Sequence, residues 1–409
     1  MKITIKAIKK KHIPLIILLG VLIIVGVFLV GGKSVDTYVR EEEEQKIALT
    51  TPVVRNENLA IGGWLVRWNN GRGIADAREH MDVFSTLSPF SYEITRSGNV
   101  SDVLRLTLPL WSDVLREAKE NSVTIIPSFL WMDKTAMTTV LQDGVKRSSL
   151  AKQITYTVNT MKVDGADIDF EGMAYTDHEA FISFLKELDL QLENKILTCT
   201  IAATLPTADE EAQGSLDKHY KELGELCDEV RVMAYDMRFT DPVLAKKEPA
   251  PYIPSADVRT VRQSIEYLAT FVPREKIVLG IASYGYEYEV TEKATSTSYR
   301  LLWSFSPSYA KGLVAKKSLE LRRGDHDEAY ATYRVGTKQT PSKPFILMEP
   351  FVTESAPKEP KAPYNVIWWS DTASVEGKLE LAKSLGLKGI SLFRLNGDTD
   401  QELWKVLQK

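Results

Sequence analysis

Short apolar runs alternate with longer segments of helical spacing from Leu59 to the end of the chain. Eight of these runs predict strands: 61–68, 83–92, 123–130, 165–170, 196–203, 229–235, 277–283 and 389–395. Helical spacing is clearest between them, in 112–121, 149–161, 178–193, 258–271 and 374–385. Strands that alternate with helices indicate parallel β-α units.

Eight such units over about 350 residues are typical of a (β/α)8 TIM barrel, an α/β fold. The alternative is an open doubly wound sheet. A nucleotide-binding form of that sheet is disfavoured, because no Gly-rich phosphate loop follows the first predicted strand. Between the seventh and eighth predicted strands the chain is too long for a plain crossover, so we predict an inserted subdomain at about 285–364 with short strands of its own.

The N-terminus carries a different pattern. Residues 13–30 form an uncharged and almost wholly apolar run, which follows a lysine-rich segment. A run of this length is about as long as a bilayer is thick, and preceding lysines favour a cytoplasmic N-terminus. We therefore predict a cytoplasmic basic tail (1–12), a transmembrane signal anchor (13–32) and a linker (33–57), with the catalytic domain (58–409) outside the cell membrane. The alternative is a cleaved signal peptide and a secreted protein.

Composition and charge narrow the function classes. The 409 residues are 44% hydrophobic and 26% charged, which is ordinary for a globular protein. The first 12 residues carry five lysines and no acid, so the remainder has 46 basic and 55 acidic residues. No basic stripe is left in the main body, which argues against nucleic-acid binding.

The chain has two cysteines, Cys199 and Cys227. In an exported protein they could pair. Cys199 lies in an apolar run that resembles a buried strand, and there a buried free thiol is the favoured interpretation over a disulfide.

The most informative segment is 164–171, which reads Asp-Gly-Ala-Asp-Ile-Asp-Phe-Glu. On a strand, Asp167, Asp169 and Glu171 share one face, because side chains alternate between the two faces. Three acids on one face are costly, since like charges at short range cannot all ionise cheaply. Glu171 falls at the C-terminal end of the fourth predicted strand, where barrel enzymes carry their chemistry. We expect at least one raised pKa and a group that titrates as a unit, as acid catalysis requires.

The alternatives for this segment are a calcium-binding loop and a structural acid cluster. The alternating acids followed by Gly172 resemble the opening of a calcium-binding EF-hand loop, but the twelfth position is His178 and the intervening Ile168 and Phe170 suit a buried strand. A purely structural acid cluster is disfavoured, because it stabilises nothing without cationic partners.

The octet resembles the signature of glycoside hydrolase family 18, the chitinase-like hydrolases, whose pattern is Asp-Gly-x-Asp-x-Asp-x-Glu. Every fixed position is matched. Later segments are similar in order and spacing: Val-Met-Ala-Tyr-Asp at 232–236, Leu-Gly-Ile-Ala-Ser-Tyr-Gly at 279–285, Trp-Trp-Ser-Asp at 368–371 and Gly-Ile-Ser-Leu-Phe at 389–393. The resemblance covers about 59–409 and implies a peptidoglycan-hydrolase-like or chitinase-like TIM barrel.

The resemblance implies a substrate-assisted retaining mechanism that needs no metal or cofactor. Glu171 would protonate the glycosidic oxygen, and the substrate's own 2-acetamido carbonyl would be the nucleophile. Asp169 would orient the acetamido N–H, Asp167 would tune Asp169 by sharing a proton, and Tyr235 would hydrogen-bond the acetamido carbonyl.

Further residues are expected to contact the sugar, also by resemblance: Met233, Asp236, Tyr284, Trp369 and Phe393. Where the family usually places a Trp at the end of strand eight, this chain has Phe393, whose smaller apolar face bears on substrate choice. The remaining tryptophans considered could stack on sugars or pack in the core; they are Trp64, Trp68, Trp131 and Trp368.

The expected function is hydrolysis of β-1,4 bonds next to N-acetylglucosamine, with peptidoglycan of the cell's own wall or chitin-like glycans as substrate. The alternative is a catalytically weak or inactive glycan-binding membrane protein, a chitinase-like lectin. Retention of the acid at Glu171 favours activity. A third possibility, a membrane scaffold, predicts neither binding nor turnover.

Overall fold

The computed structural model describes residues 56–66, 72–237, 251–292, 297–334, 362–395 and 401–408. These residues belong to one unit, Val53–Lys409. The predicted basic tail, the predicted anchor and the linker up to residue 55 lie outside the described residues.

The predicted fold class needs one correction. Every helix in the described ranges is too short or too polar to cross a bilayer. The structure thus gives no transmembrane helix within those ranges, and residues 13–32, where the sequence predicts one, lie outside them.

The barrel strands and their additions in the described residues follow the predicted order. They are β1 (Ala60–Leu65), β2 (Thr86–Pro89), β3 (Tyr92–Ile94), β4 (Val100–Asp102), β5 (Thr124–Ile125), β6 (Ser128–Trp131), β7 (Gly165–Phe170), β8 (Ile196–Ala202), β9 (Glu229–Met233), β10 (Ile277–Ala282) and, at the end, β16 (Gly389–Leu395). All pair in parallel except β4, which is antiparallel to β3.

Two of the barrel strands are interrupted. The second consists of β2 and β3. The third consists of β5 and β6 on either side of Pro127, which has no N–H to donate. The hydrogen bonds continue across this break: Ile126 N donates to Leu87 O and Asp167 N donates to Pro127 O, each at 3.0 Å. Since β5 pairs with β2, and β6 pairs with both β3 and β7, the sheet closes into an eight-membered ring. The prediction of a (β/α)8 barrel is confirmed.

The helices in the described residues are α1 (Arg72–Glu79), α2 (Pro109–Glu120), α3 (Lys134–Leu141), α4 (Gly144–Met161), α5 (His178–Leu192), α6 (Glu210–Leu226), α7 (Val258–Leu268), α8 (Pro307–Lys317), α9 (Thr372–Ser384) and α10 (Gln401–Leu407). Aspartate side chains cap the first turns of α3, α4, α6, α7 and α9 by accepting backbone N–H groups. A proline opens α2 and α8, where the missing N–H costs nothing.

The fourth and eighth barrel strands begin at glycines that allow a close backbone approach. A Cβ on Gly165 would lie 2.1 Å from Ile196 O, and one on Gly389 would lie 2.1 Å from Ala60 O. Any larger residue would therefore push β7 away from β8, or β16 away from β1.

A second sheet follows β10. It contains β11 (Gly285–Glu292), β12 (Thr297–Phe305), β13 (Arg322–Arg323), β14 (Ala329–Tyr333) and β15 (Tyr364–Trp369), all antiparallel, with α8 between β12 and β13. The chain leaves the barrel at the C-terminal end of β10, and Ser370 N donates to Tyr284 O at 3.2 Å on its return. This insertion sheet is therefore attached at the C-terminal edge of the barrel.

The preference for a free thiol at Cys199 is wrong. Cys199 on β8 and Cys227, which follows α6, form a disulfide with a Cα–Cα distance of 6.0 Å. The apolar run correctly indicates that Cys199 is buried, but only the packing of α6 against the barrel brings the end of that helix beside β8.

Candidate active site

Strand β7 carries the three acids on its inward face, and its outward residues pack into the core. Ile168 and Phe170 are buried, and the Phe170 ring lies 5.5 Å from that of Phe184 on α5. The segment is regular strand through Phe170, between β6 and β8. This geometry differs from the calcium-binding loop considered as an alternative. In the described part of the chain, no group of three or more acidic, histidine or cysteine side chains is arranged to hold a metal ion.

Asp167 is the deepest of the three acids and has no exposed surface. Its Oδ1 accepts a hydrogen bond from Thr200 Oγ1 at 2.6 Å. Its Oδ2 accepts from Ser128 Oγ at 2.6 Å and from Trp64 Nε1 at 3.2 Å. Because Trp64 stands on β1, three strands away around the ring, these bonds place the Asp167 carboxylate in the barrel interior.

Asp169 lies one step nearer the C-terminal end of β7 and is only 2% exposed. Burial first, and then the charges of Glu171 and Asp167, raise the pKa of Asp169 well above its usual range. Its Oδ1 is buried and accepts no hydrogen bond from the described residues. Buried polar atoms are nearly always paired, so this oxygen is suited to receive a donor from a bound molecule.

Glu171 follows β7 directly and is half-buried. Its backbone N–H donates to Trp131 O at 2.8 Å, and the chain then turns at Gly172 with a φ of +70°. Burial, and then the negative charge of Asp236, raise the pKa of the Glu171 carboxyl. A carboxyl that keeps its proton toward neutral pH can donate it to a leaving group.

Tyr235 follows β9 and faces the end of β16. Its ring stacks on Phe393 at a centroid distance of 5.1 Å and an interplanar angle of 7°. Phe393 also contacts Trp64 edge-on at 5.9 Å. Burial, and then the nearby carboxylates led by Asp169, raise the pKa of Tyr235 well above its usual value, so its hydroxyl remains a donor. Half-buried Met233 ends β9 and packs against the barrel core.

Asp236 comes next along the chain and is exposed. It adopts the left-handed region with a φ of +56°, which is unusual for a residue other than glycine. Tyr284 OH donates to Asp236 Oδ2 at 3.0 Å, and Ser255 Oγ donates to Oδ1 at 3.2 Å. The guanidinium of Arg394 lies 5.4 Å from the centre of the Tyr284 ring. Asp236, Tyr284 and Phe393 thus lie around Tyr235.

Trp369 does not join this group. It is 2% exposed and belongs to an apolar cluster of the insertion sheet with Phe305 and Ala329. Trp369 is carried by β15 in the insertion sheet, and the expectation that it contacts substrate stays a prediction. Of the other tryptophans named in the sequence analysis, Trp64, Trp131 and Trp368 are also buried, and Trp68 lies outside the described residues.

The sequence reasoning missed a buried cation. Arg231 on β9 is 2% exposed, and its Nη1 lies 3.7 Å from Asp167 Oδ2 and 2.5 Å from Ser88 Oγ. Its Nη2 lies 3.2 Å from Glu229 Oε2, and Lys388 Nζ lies 2.7 Å from Glu229 Oε1. Burial raises the pKa of Glu229, but Arg231 and Lys388 outweigh it and lower the pKa overall. Arg231 is thus a cationic partner of both Asp167 and Glu229, and Lys388 is a second partner of Glu229.

A signal for this arginine was present in the sequence. Glu229, Arg231 and Met233 alternate with two valines, as the acids of β7 alternate with apolar residues. Charged residues at alternate positions of a predicted barrel strand point into the barrel. Read together, the two strands predict that Arg231 and the acids share the interior.

The arrangement is suited to acid–base chemistry on a polar substrate. Glu171 is a carboxyl with a raised pKa at the mouth, Asp169 offers an unpaired acceptor oxygen, and Tyr235 offers a neutral donor. The group can give a proton to one atom while accepting and donating hydrogen bonds to others nearby.

Comparison with known families agrees with this site. The sequence model described as "Glycosyl hydrolases family 18" matches residues 112–398, which is more than half of the chain. The match begins in α2 and includes the strands that carry all three acids, Tyr235, Asp236 and Phe393.

Known proteins similar to this chain include two from Bacillus subtilis strain 168. A cortical fragment-lytic enzyme is 24% identical over 337 residues, which are 81% of this chain and 69% of that protein. An uncharacterized glycosylase, YvbX, is 23% identical over 246 residues, so the chain spans about 60% of that relative's length.

Solved structures show the same fold. The spore cortex-lytic enzyme SleL of Bacillus cereus superposes with a TM-score of 0.65 at 18% identity, over 86% of this chain and 74% of that one. A class V chitinase from Pseudomonas fluorescens Pf-5 also gives a TM-score of 0.65, at 21% identity over 86% and 99% of the two chains.

Proposed function

The chain belongs to the glycosyl hydrolases family 18 and is a glycosidase, and from this premise we propose that it cleaves β-1,4 bonds next to N-acetylglucosamine in peptidoglycan by a substrate-assisted retaining mechanism. The observation that carries the proposal is the pairing of Asp169 and Glu171 on one strand. One is buried with an unpaired oxygen, the other half-buried at the mouth, and both have raised pKa values.

In the first step, Glu171 gives its proton to the glycosidic oxygen as the bond from that oxygen to C1 breaks. The carbonyl oxygen of the substrate's 2-acetamido group attacks C1 and forms an oxazolinium ion. Asp169 Oδ1 accepts the acetamido N–H and stabilises the positive charge that develops there. Tyr235 OH donates to the acetamido carbonyl, which fixes its direction of attack.

In the second step, the Glu171 carboxylate takes a proton from water as the water oxygen attacks C1. The C1 bond to the acetamido oxygen breaks, and the product keeps the original configuration at C1. In this proposal Phe393, whose ring stacks on Tyr235, supports the reacting sugar ring with its apolar face.

The choice of peptidoglycan over chitin follows from the relatives. The cortical fragment-lytic enzyme covers 81% of this chain, and the spore cortex-lytic structure shares its fold. Chitinases share the fold as well, so chitin-type glycans are the competing substrate. The disulfide between Cys199 and Cys227 supports a protein that acts outside the reducing cytoplasm. Cell-wall glycans also lie outside the cytoplasm.

The test is the release of reducing ends from purified peptidoglycan and from chitin oligosaccharides by the wild type and by Glu171→Gln. We expect the substitution to lower kcat by about 10²–10⁴-fold, because it removes the general acid. Glu179→Gln is the matched control, since Glu179 lies exposed on α5 and pairs with Lys218 at the surface. It should leave turnover unchanged.

Turnover that survives Glu171→Gln would rule out the assigned acid. Binding of either glycan without any turnover by the wild type would favour the glycan-binding alternative. A substrate whose reacting sugar lacks the N-acetyl group should not be cleaved, because the nucleophile is then missing. Faster cleavage of chitin oligosaccharides than of peptidoglycan would reverse the substrate assignment.

A further inference from the structure

We propose that Glu328, which belongs to the insertion sheet region and not to the barrel, is a positioning residue of the active site: acting through Ser255, it holds Asp236 beside Glu171. The proposal rests on the acid role of Glu171 given above. It gives the insertion an indirect part in catalysis, through the position of Asp236.

Glu328 is completely buried, immediately before β14. Its Oε2 accepts the backbone N–H of Ser255 at 2.7 Å, and its Oε1 accepts from Ser370 Oγ at 2.9 Å. Lys378 Nζ, on α9, lies 3.7 Å from the same Oε1, and Lys378 is completely buried too. Two buried charges are a poor way to gain stability, which suggests that this carboxylate has a positional role.

Ser255 forms two hydrogen bonds with Asp236 and one with its neighbour Met237. Its Oγ accepts the backbone N–H of Asp236 and donates to Asp236 Oδ1, both at 3.2 Å. Its carbonyl oxygen accepts the backbone N–H of Met237 at 2.8 Å. The left-handed backbone of Asp236 persists only where its surroundings hold it, and Ser255 holds both the backbone and the carboxylate.

Asp236 in turn acts on the acid. The groups whose charges interact with Glu171 are Asp169, Tyr235 and Asp236, and the charge of Asp236 raises the pKa of Glu171. Asp236 itself faces Tyr284, which donates to its Oδ2, and its charge interacts with Arg394. If Asp236 swings away from Glu171, the pKa of Glu171 falls, and the acid loses its proton at a lower pH.

The test compares three variants with the wild type in the pH dependence of kcat/KM on the preferred glycan. Ser255→Ala removes only the hydroxyl, and Glu328→Gln removes the charge. The control is Glu287→Gln, since Glu287 is also a buried glutamate of the insertion sheet, 3% exposed and bonded to Trp303 Nε1 and Asn365 Nδ2. It has no hydrogen bond to the 251–257 segment.

We expect the alkaline limb of the profile to move to lower pH in Ser255→Ala and Glu328→Gln, with kcat/KM at pH 7 reduced by roughly tenfold, the usual size of coupling within one network. Glu287→Gln should lower the thermal midpoint without moving the limb. A limb that stays in place in folded Ser255→Ala and Glu328→Gln would overturn the proposal. So would a limb that moves equally in Glu287→Gln.

The Asp236→Asn background separates positioning from a general structural defect. There, adding Ser255→Ala should have no further effect on the limb, because the charge that it positions is already gone. An equal shift in both backgrounds contradicts the proposal.

Crystal structures of Ser255→Ala and Glu328→Gln decide the matter independently of turnover. We expect Asp236 to be displaced in both variants. If Asp236 keeps its place in both variants, positioning is refuted even if the enzyme is active. If the wild type is inactive but Asp236 is displaced in the variants, only the proposed function is refuted.

Discussion

At the scale of single residues, Asp169 shows how catalytic placement opposes stability. Its carboxyl is buried beside two other acids and accepts no hydrogen bond on Oδ1, and its pKa is raised well above the usual range. The unfolded chain releases this proton at about pH 3.9, and the folded protein keeps it to higher pH. Stability from this group is therefore full below the unfolded pKa and is lost as pH rises through the folded pKa.

Asp169→Asn should consequently become more stable than the wild type as pH rises. Asparagine cannot ionise, so the variant escapes the cost that the wild type meets as the pH rises from the unfolded pKa of Asp169 through its raised folded pKa. We expect its thermal midpoint to gain about 1–3 °C over the wild type across that range, while turnover falls because the acetamido N–H loses its carboxyl acceptor. Thermal melts of both proteins at several pH values measure the difference.

Asp133→Asn provides a control of opposite sign. Asp133 caps α3, and the backbone N–H of Ala136, and then Arg96, lower its pKa. The contribution of Asp133 to stability appears above its unfolded pKa and is lost as pH falls. The thermal midpoint of this variant should therefore fall further below that of the wild type as pH rises. A midpoint difference for Asp169→Asn that is constant with pH would contradict the assignment of its pKa.

At the scale of elements, the position of the acids on β7 depends on how closely β7 approaches β8. The space for a side chain at Gly165 is filled by the backbone oxygen of Ile196, at 2.1 Å from an added Cβ. The Gly165 Cα and the Ile196 carbonyl oxygen both belong to the backbone and not to a flexible side chain. The two strands must therefore separate to admit a methyl group.

Gly165→Ala should therefore destabilise the fold by about 1–3 kcal/mol, as overpacking does, and lower turnover by displacing Asp169. Urea unfolding and reducing-end release measure the two effects. The matched control is Gly214→Ala, because Gly214 lies exposed in α6 with nothing near an added Cβ. There alanine should stabilise by up to about 1 kcal/mol. Equal stability changes for the two substitutions would refute the close approach.

At the scale of the whole molecule, the barrel and the insertion sheet share their interior contacts. Ile253, from the segment between β9 and α7, packs in one apolar cluster with Tyr288 and Trp368 of the insertion sheet. The buried pair of Glu328 and Lys378 links that region to α9. These contacts join the two parts, although each part also has a buried apolar cluster of its own.

We expect one calorimetric unfolding transition for this unit. Val290→Ala should test it, because Val290 is fully buried in the insertion sheet and distant in sequence from the barrel helices. Its loss of about 1–3 kcal/mol should shift the whole transition to lower temperature. A new early transition, with the main one unmoved, would mean that the insertion unfolds on its own.

The sequence by itself determined the elements and the acids. Apolar runs and helical spacing depend on local periodicity, so the barrel strands and five of the ten helices in the described residues could be predicted from them. The alternation of Asp167, Asp169 and Glu171 likewise fixed their common face, because the period of a strand is two. The family resemblance then supplied Tyr235, Asp236, Tyr284 and Phe393, which the structure brings together.

The tertiary structure decided what depends on distant segments meeting. The pairing of Cys199 with Cys227, the burial of Trp369 and the burial of Arg231 beside Asp167 are set by packing between elements. The link from Glu328 to Asp236 joins residues far apart in the chain through Ser255. Periodicity indicates which face of an element is apolar, but it contains no information about which other element covers that face. These contacts arise only when the ring of strands closes and the insertion sheet packs against it.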